Sequence, residues 1–228
     1  MRLVILLGGT VFNEAVERGD VSLINKYVNV LKEISSSNKV VVVAGGGRTA
    51  RRYIELAYNL KAPDSLLDDI GIAATRINAL LLVSGLIDVA YPRVPRSYQE
   101  VVSALSSHNL VIAGGMVAGQ STDAVAAVIA EYIRAQLLIK MTGADAIYSD
   151  DPKKNPNAIR YSEITVDALE KLVLSHKFEP GKYELFDLVA LRVVRRSKIP
   201  VVVTTAFSPE NIFRILRGEK VGTLVKVS

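Results

Sequence analysis

Three apolar runs in this 228-residue chain end directly in glycine. Leu3–Leu7 runs into Gly8-Gly9-Thr10, Lys39–Ala44 into Gly45-Gly46-Gly47, and Leu110–Ala113 into Gly114-Gly115, with Gly119 close behind. Glycine has no Cβ, so the chain can turn at positive φ and a ligand can come close to the main chain. Helical sequence follows two of these turns, over Arg48–Asn59 and Ser121–Ile133. A strand, a bare glycine turn and a helix N-terminus together aim backbone N–H groups at an anion. Several such turns at one end of a sheet imply more than one phosphate group, the outline of a phosphoryl-transfer site.

Side chains beside the turns extend this reading. Arg51 and Arg52 sit one turn into the first of these helices, where a guanidinium can fork onto phosphate oxygens or simply face solvent. Gln120, Ser121 and Thr122 can hydrogen-bond a base or a phosphate, although Ser121 or Thr122 is equally a helix cap. Asp123 is favoured at a helix start by the dipole alone. The segment Thr142–Pro152 follows an apolar run. Tyr148 there can cover an adenine or ribose and Asp151 can accept from a ribose hydroxyl, or the segment is a hairpin with an Asp-initiated turn. No stretch reads G-x-x-x-x-G-K-S/T, and no G-x-G-x-x-G follows the first strand.

The elements that must position these groups alternate. Strands are expected over Leu3–Leu7, Lys39–Ala44, Leu110–Ala113, Gln136–Met141 and Ile199–Thr204, with short pieces at Ala146–Tyr148 and Ile159–Tyr161 and a final edge strand over Gly222–Val227. Helices are expected over Val21–Ser35, Arg48–Asn59, Asp64–Asp69, Ile70–Leu86, Tyr98–Leu105, Thr122–Ile133, Thr165–Leu174, Tyr183–Ser197 and Pro209–Arg217, the last capped by Ser208. Alternation with apolar strands predicts an α/β fold on a mainly parallel sheet covered on both faces, joined by right-handed crossovers. The polar stretch Asp150–Asn157, broken by prolines, is a loop. One domain with two lobes is expected, residues 1 to about 140 and about 141 to 228.

Composition narrows the chemistry. There is no cysteine, so disulfides and thiolate metal sites are excluded, and a reducing cytoplasm fits. The two histidines, His108 and His176, are far apart in sequence, against a histidine metal site or a serine–histidine triad. No run is long enough to span a membrane, and Gly8-Gly9 cuts short the apolar start. The net charge of +5, from 28 basic and 23 acidic residues, fits either an ordinary solvated surface or anionic substrates. No aromatic-studded basic stripe points to nucleic acid.

The segments GGGRTAR, DDIGIAATRINALLL, AGGMVAGQSTDAVAA, TGADAIYSDDP and ELFDLVALRVVRRSKIPVVV occur in this order. Together they resemble the UMP (uridylate) kinases of the amino-acid-kinase superfamily, the archaeal type above all, nearly end to end. The resemblance implies a three-layer αβα sandwich that transfers a phosphoryl group from ATP to UMP with Mg²⁺. It implies an acceptor lobe first and an ATP lobe second, and a homohexamer built as a trimer of dimers with the helix near residues 70–86 at the dimer contact. By motif match, Gly46 contacts the UMP phosphate, Asp68 the ribose hydroxyls, and Met116, Val117, Ala118, Gly119, Gln120, Ser121 and Thr122 wrap UMP. Gly9, Thr10, Gly47 and Arg51 surround the ATP phosphates, and Thr142, Tyr148 and Asp151 hold adenosine. Asp187 and Asp123 match acidic positions that organise Mg²⁺ and the reacting phosphates.

Two departures stand out. Many family members carry lysine in the first strand–glycine turn, where this chain has Leu6 or Leu7, and the family's Asn-Val-Asp-Gly-Val-Tyr is here Gly143–Tyr148. Lys140 is the candidate substitute cation; it also reads as a strand-end lysine reaching to solvent. Rival readings are the same fold with another acceptor, such as a carboxylate, a carbamate or isopentenyl phosphate, and a nucleotide-binding sensor without catalysis.

Overall fold

Val40 to Ala44 carry no polar side chain and all are buried, as in a strand covered on both faces. The computed structural model describes residues 1–175 and 186–227. In chain order the strands are β1 (Arg2–Leu7), β2 (Lys39–Ala44), β3 (Leu110–Ala113), β4 (Leu137–Thr142), β5 (Ile147–Tyr148), β6 (Arg160–Tyr161), β7 (Glu163–Thr165), β8 (Val201–Thr205) and β9 (Thr223–Lys226). The helices are α1 (Thr10–Arg18), α2 (Ser22–Ser35), α3 (Gly47–Asn59), α4 (Asp64–Ser84), α5 (Tyr98–Ser107), α6 (Thr122–Tyr132), α7 (Val166–Ser175), α8 (Leu188–Ser197) and α9 (Asn211–Leu216).

Seven strands form one sheet in the order β3-β2-β1-β4-β8-β9-β7, and β5 pairs with β6 in a separate hairpin. Every pairing from β3 across to β8 is parallel; β9 runs antiparallel to β8 and parallel to β7. Successive side chains point to opposite faces, so β1 divides between two cores. Val4 and Leu6 join Val41 and Val43 under α5, α6, α7 and α8. Leu3, Ile5 and Leu7 join Val40 and Val42 under α1, α2, α4 and α9. This is the expected three-layer αβα sandwich on a mainly parallel sheet.

Several expected elements differ. Residues 10–18 form α1, a helix whose N-cap Gly9 supplies no capping side chain, so the usual start signal is missing. The two helices expected over 64–86 are one, α4. Gly71 does not break it: a Cβ there would lie 3.4 Å from Ile54 Cδ1, so glycine marks a close approach of α3. Strand β7 was not expected, and because it pairs outside β9 the last strand is not an edge. Helix α9 starts at Asn211 with Glu210 as N-cap; Ser208 instead accepts the Asn211 amide through its carbonyl. Helix α8 starts at Leu188; of the expected earlier start, residues 183–185 lie outside the described residues, as does His176.

Candidate active site

In open α/β sheets a ligand crevice opens at the carboxyl ends of the strands, where the strand order reverses. Here the chain builds outward from β1 to β2 and β3, then returns to lay β4 on the other side of β1. The reversal lies between β1 and β4, whose carboxyl ends lead into Gly8-Gly9 and Thr142-Gly143. The Gly8 amide donates to the Met141 carbonyl at 2.8 Å and the Gly45 amide to Leu7 at 2.8 Å, which ties three turns together.

A cavity of about 580 Å³ opens there, lined by Gly9, Thr10, Arg51, Thr142, Tyr148 and Asp151. These are six of the seven residues assigned to ATP from sequence. The seventh, Gly47, touches the same wall from behind: a Cβ on Gly9 would lie 1.9 Å from the Gly47 nitrogen, and Gly47 itself has φ +66°. Thr10 Oγ1 is buried without a hydrogen-bond partner among the described residues. A buried hydroxyl in that state costs free energy until a ligand atom meets it. The cavity rim is ordered by Asp145, which accepts from Tyr148 Oη at 2.8 Å and from Arg160 Nε at 3.1 Å. Burial disfavours the Asp145 charge, but the bonds from Tyr148 and Arg160 outweigh it and hold the carboxyl below its ordinary value. The Tyr148 hydroxyl is pushed up, by burial first and by the Asp145 bond and charge second.

The other glycine loop is pinned to α4. Thr75 Oγ1 accepts the Gly115 amide at 2.7 Å, and Arg76 Nε donates to the Gly115 carbonyl at 3.1 Å. Burial, and then the charge of Arg96, holds the Arg76 guanidinium below its ordinary pKa. Asp68 Oδ2 accepts the Gly119 amide at 2.7 Å. Asn78 Nδ2 donates to the carbonyls of Gly45 at 2.8 Å and Gly46 at 3.3 Å, so α4 grips both turns. Met116 is buried, whereas Val117, Ala118 and Gly119 are exposed. Gln120 Oε1 accepts from Tyr98 Oη at 2.5 Å, Ser121 caps α6 by accepting the Ala124 amide at 3.1 Å, and Thr122 is the first residue of α6.

Between the two halves lies a buried ion pair. Lys140 Nζ sits 2.7 Å from Asp123 Oδ2, with side chains only 8% and 16% exposed. The strand-end reading of Lys140, with its charge in solvent, therefore fails. Lys140 is the direct cross-strand partner of Leu6, so the two point to the same face. The Asp187 amide donates to the same Asp123 oxygen at 3.3 Å, and Asp187 Oδ1 caps α8 by accepting the Ala190 amide at 3.0 Å.

Residues 1–205 match the amino acid kinase family. This chain belongs to the amino acid kinase family. Among its relatives, a uridylate kinase of Pyrobaculum neutrophilum is 44% identical, with 99% of each chain covered. One of Methanoculleus marisnigri is 42% identical over 98% of this chain and 95% of its own. The crystal structure of uridylate kinase from Archaeoglobus fulgidus superposes with a TM-score of 0.88 at 36% identity, covering 99% of this chain and all 100% of that one. The UMP kinase structure from Bacillus anthracis shares the fold, with a TM-score of 0.82 at 23% identity over 99% of this chain and 95% of its own.

Sequence reasoning passed over three residues of this amino acid kinase. Asn13 Oδ1 accepts the Arg48 amide at 2.9 Å and so caps α3 from α1; the missed helix hid it. Asp145 and Lys153 line the cavity at the β1 and β4 ends. The Asp-Asp-Pro turn beside Lys153 was a legible pointer to it, whereas Asn13 had none.

Proposed function

We propose that this chain is a uridylate kinase, transferring a phosphoryl group from ATP to UMP with Mg²⁺ and giving ADP and UDP. One observation carries the reading. Gly9 of the cavity packs on the Gly46-Gly47 turn, and Gly46 faces Thr75, which holds the Gly115 loop, in a chain similar along its whole length to proteins named uridylate kinase.

In this reading the first lobe, to about residue 140, takes the acceptor and the remainder takes ATP. Gly46 faces the UMP phosphate, Asp68 the ribose, and Met116 to Thr122 wrap the nucleotide. Gly9, Thr10, Gly47 and Arg51 receive the ATP phosphates, with Thr10 Oγ1 finding its missing partner there; Thr142, Tyr148 and Asp151 hold adenosine. Backbone amides, Arg51 and Lys140 stabilise charge on the transferring group, and catalysis is alignment plus electrostatics. Transfer in this reading is direct and in line, from ATP to the UMP phosphate.

Among the described residues no group of three or more acidic, histidine or cysteine side chains forms a metal cage. Mg²⁺ is commonly held by one or two carboxylates plus substrate phosphates. Asp187 and Asp123 are the carboxylates that would hold it. An ion held there with the triphosphate would supply neutralisation of phosphate charge.

Exposed Ile77 and Leu80 on α4 and Tyr53 and Leu56 on α3 support association of copies along these helices, within a trimer of dimers. No helix among the described residues is long and apolar enough to cross a membrane. We place the enzyme in the cytoplasm.

Release of ADP, measured over UMP, CMP, glutamate and isopentenyl phosphate, tests the function. UMP should be the preferred acceptor. Preference for another acceptor overturns the assignment, and binding of both nucleotides without UDP formation leaves only a sensor. Asp68→Ala should raise the KM for UMP about 10- to 100-fold, because it removes both the Gly119 anchor and the proposed ribose contact. Turnover should change less; an unchanged KM removes Asp68 from the acceptor site.

A further inference from the structure

One dipeptide touches both members of the Lys140–Asp123 pair. Asp187 donates its amide to the Asp123 carboxylate, and its neighbour Phe186 sets its ring face over the Lys140 ammonium, with Nζ 4.6 Å from the ring centroid. Phe186 is 3% exposed and packed in the core under α6 and α8, so its ring is locked in place.

An aromatic ring does something here that a second carboxylate would not. Its negative face attracts a cation without neutralising it. Lys140 already has one full counter-charge at 2.7 Å. A carboxylate in the ring's place would cancel its field. An aliphatic side chain in the ring's place would desolvate that side of the ammonium and offer it no attraction in return.

We propose that Phe186 is a positioning residue, holding the Lys140 ammonium in register with Leu6 by cation–π attraction while leaving its charge available to the transferring phosphoryl group. The inference rests on the kinase reading above. It concerns a residue that touches neither substrate, so its effect should fall on turnover and not on nucleotide affinity.

The test compares Phe186→Leu with Phe186→Tyr. Leucine keeps an apolar side chain and loses the π face; tyrosine keeps the face. Phe186→Leu should lower kcat about 3- to 30-fold, the range set by a partly to fully desolvated cation–π contact, with the KM values for UMP and ATP unchanged. Phe186→Tyr should stay close to the parent. An activity-independent readout is the Cε–Hε resonance of Lys140 in ¹³C-lysine-labelled protein, assigned by its loss in Lys140→Met. A ring face over the ammonium should shift it upfield, and Phe186→Leu alone should return it to the ordinary lysine position. Equal losses in both variants, or KM rising as kcat falls, would reduce Phe186 to packing and overturn the proposal; so would an ordinary Lys140 resonance in the parent protein. Were the parent unable to phosphorylate UMP, the kinase reading would fall, while the resonance would still report whether the ring holds the lysine.

Discussion

Lys140→Met is expected to lower kcat about 10²- to 10³-fold, the loss typical when one preorganised group stabilising transition-state charge is removed. The KM values for ATP and UMP should move little, since an interaction made chiefly in the transition state appears in kcat. The reason is positional. Many members of the family that this chain resembles carry a lysine where the first strand meets the glycine turn, and Leu6 supplies no cation there. Lys140 stands directly across the strand pair from Leu6, on the same face of the sheet. Moving a side chain to the paired position on a neighbouring strand displaces its root by only about 5 Å, which a four-carbon lysine stem can span.

That geometry predicts a rescue. In the Lys140→Met background, adding Leu6→Lys should recover kcat at least about tenfold, since the cation returns from the adjacent strand to the same face. Stability supplies a second reading. Lys140→Met strands a largely buried Asp123, and breaking a buried pair costs roughly 3–5 kcal/mol; Asp123 stays partly exposed, so the lower end applies. The thermal midpoint should fall in the single variant and recover in part when Leu6→Lys offers Asp123 a new partner. Turnover of Lys140→Met within twofold of the parent would remove this lysine from the chemistry. Failure of the double variant to recover, with the fold intact, would show that the two strand positions are not equivalent.

How much of this was legible in the sequence follows from which signals are local. Apolar runs ending in glycine marked β1, β2 and β3 almost to the residue, because a strand buried on both faces has no polar alternation to blur its ends. Thr142, Tyr148 and Asp151, proposed to hold adenosine, stand together in motif order, and the structure gathers them around one cavity. Partnerships between distant segments were not reachable. Nothing near Asn13 says that it caps α3, because the helix that presents it starts at a glycine without a capping side chain. Lys140 looked equally like a solvent-reaching strand end until its register with Leu6 and its contact with Asp123 were known. The position of β9 was misjudged for the same reason: only the three-residue strand β7, too short to show a period, covers its outer edge.

The second large effect is expected at Gly9. Gly9→Ala should lower kcat/KM by at least about 10²-fold, the loss that a shift of about 1 Å in a catalytic wall can produce. Gly9 has φ −59° and ψ −12°, a conformation that alanine adopts freely, so its own backbone carries no strain. The obstacle is the neighbouring turn. A Cβ would stand 1.9 Å from the Gly47 nitrogen, 2.2 Å from its Cα and 2.8 Å from the Gly46 carbonyl carbon. All three are backbone atoms, so no rotamer change relieves the clash and the β1 and β2 turns must separate. Separation would pull the donor wall, Gly9 and Thr10, from the acceptor wall, Gly46, and lengthen the path of the transferring group. Gly19→Ala is the matched control. Gly19 has φ +72°, but no atom lies within 4 Å of where its Cβ would stand, so alanine there meets backbone strain of about 1–2 kcal/mol without displacing either turn. Circular dichroism melts should show both variants destabilised, and initial-rate kinetics with saturating ATP should show only Gly9→Ala impaired. Gly9→Ala activity within a few fold of the parent would mean that the two turns can part without cost, and that the contact between them is not what aligns donor with acceptor.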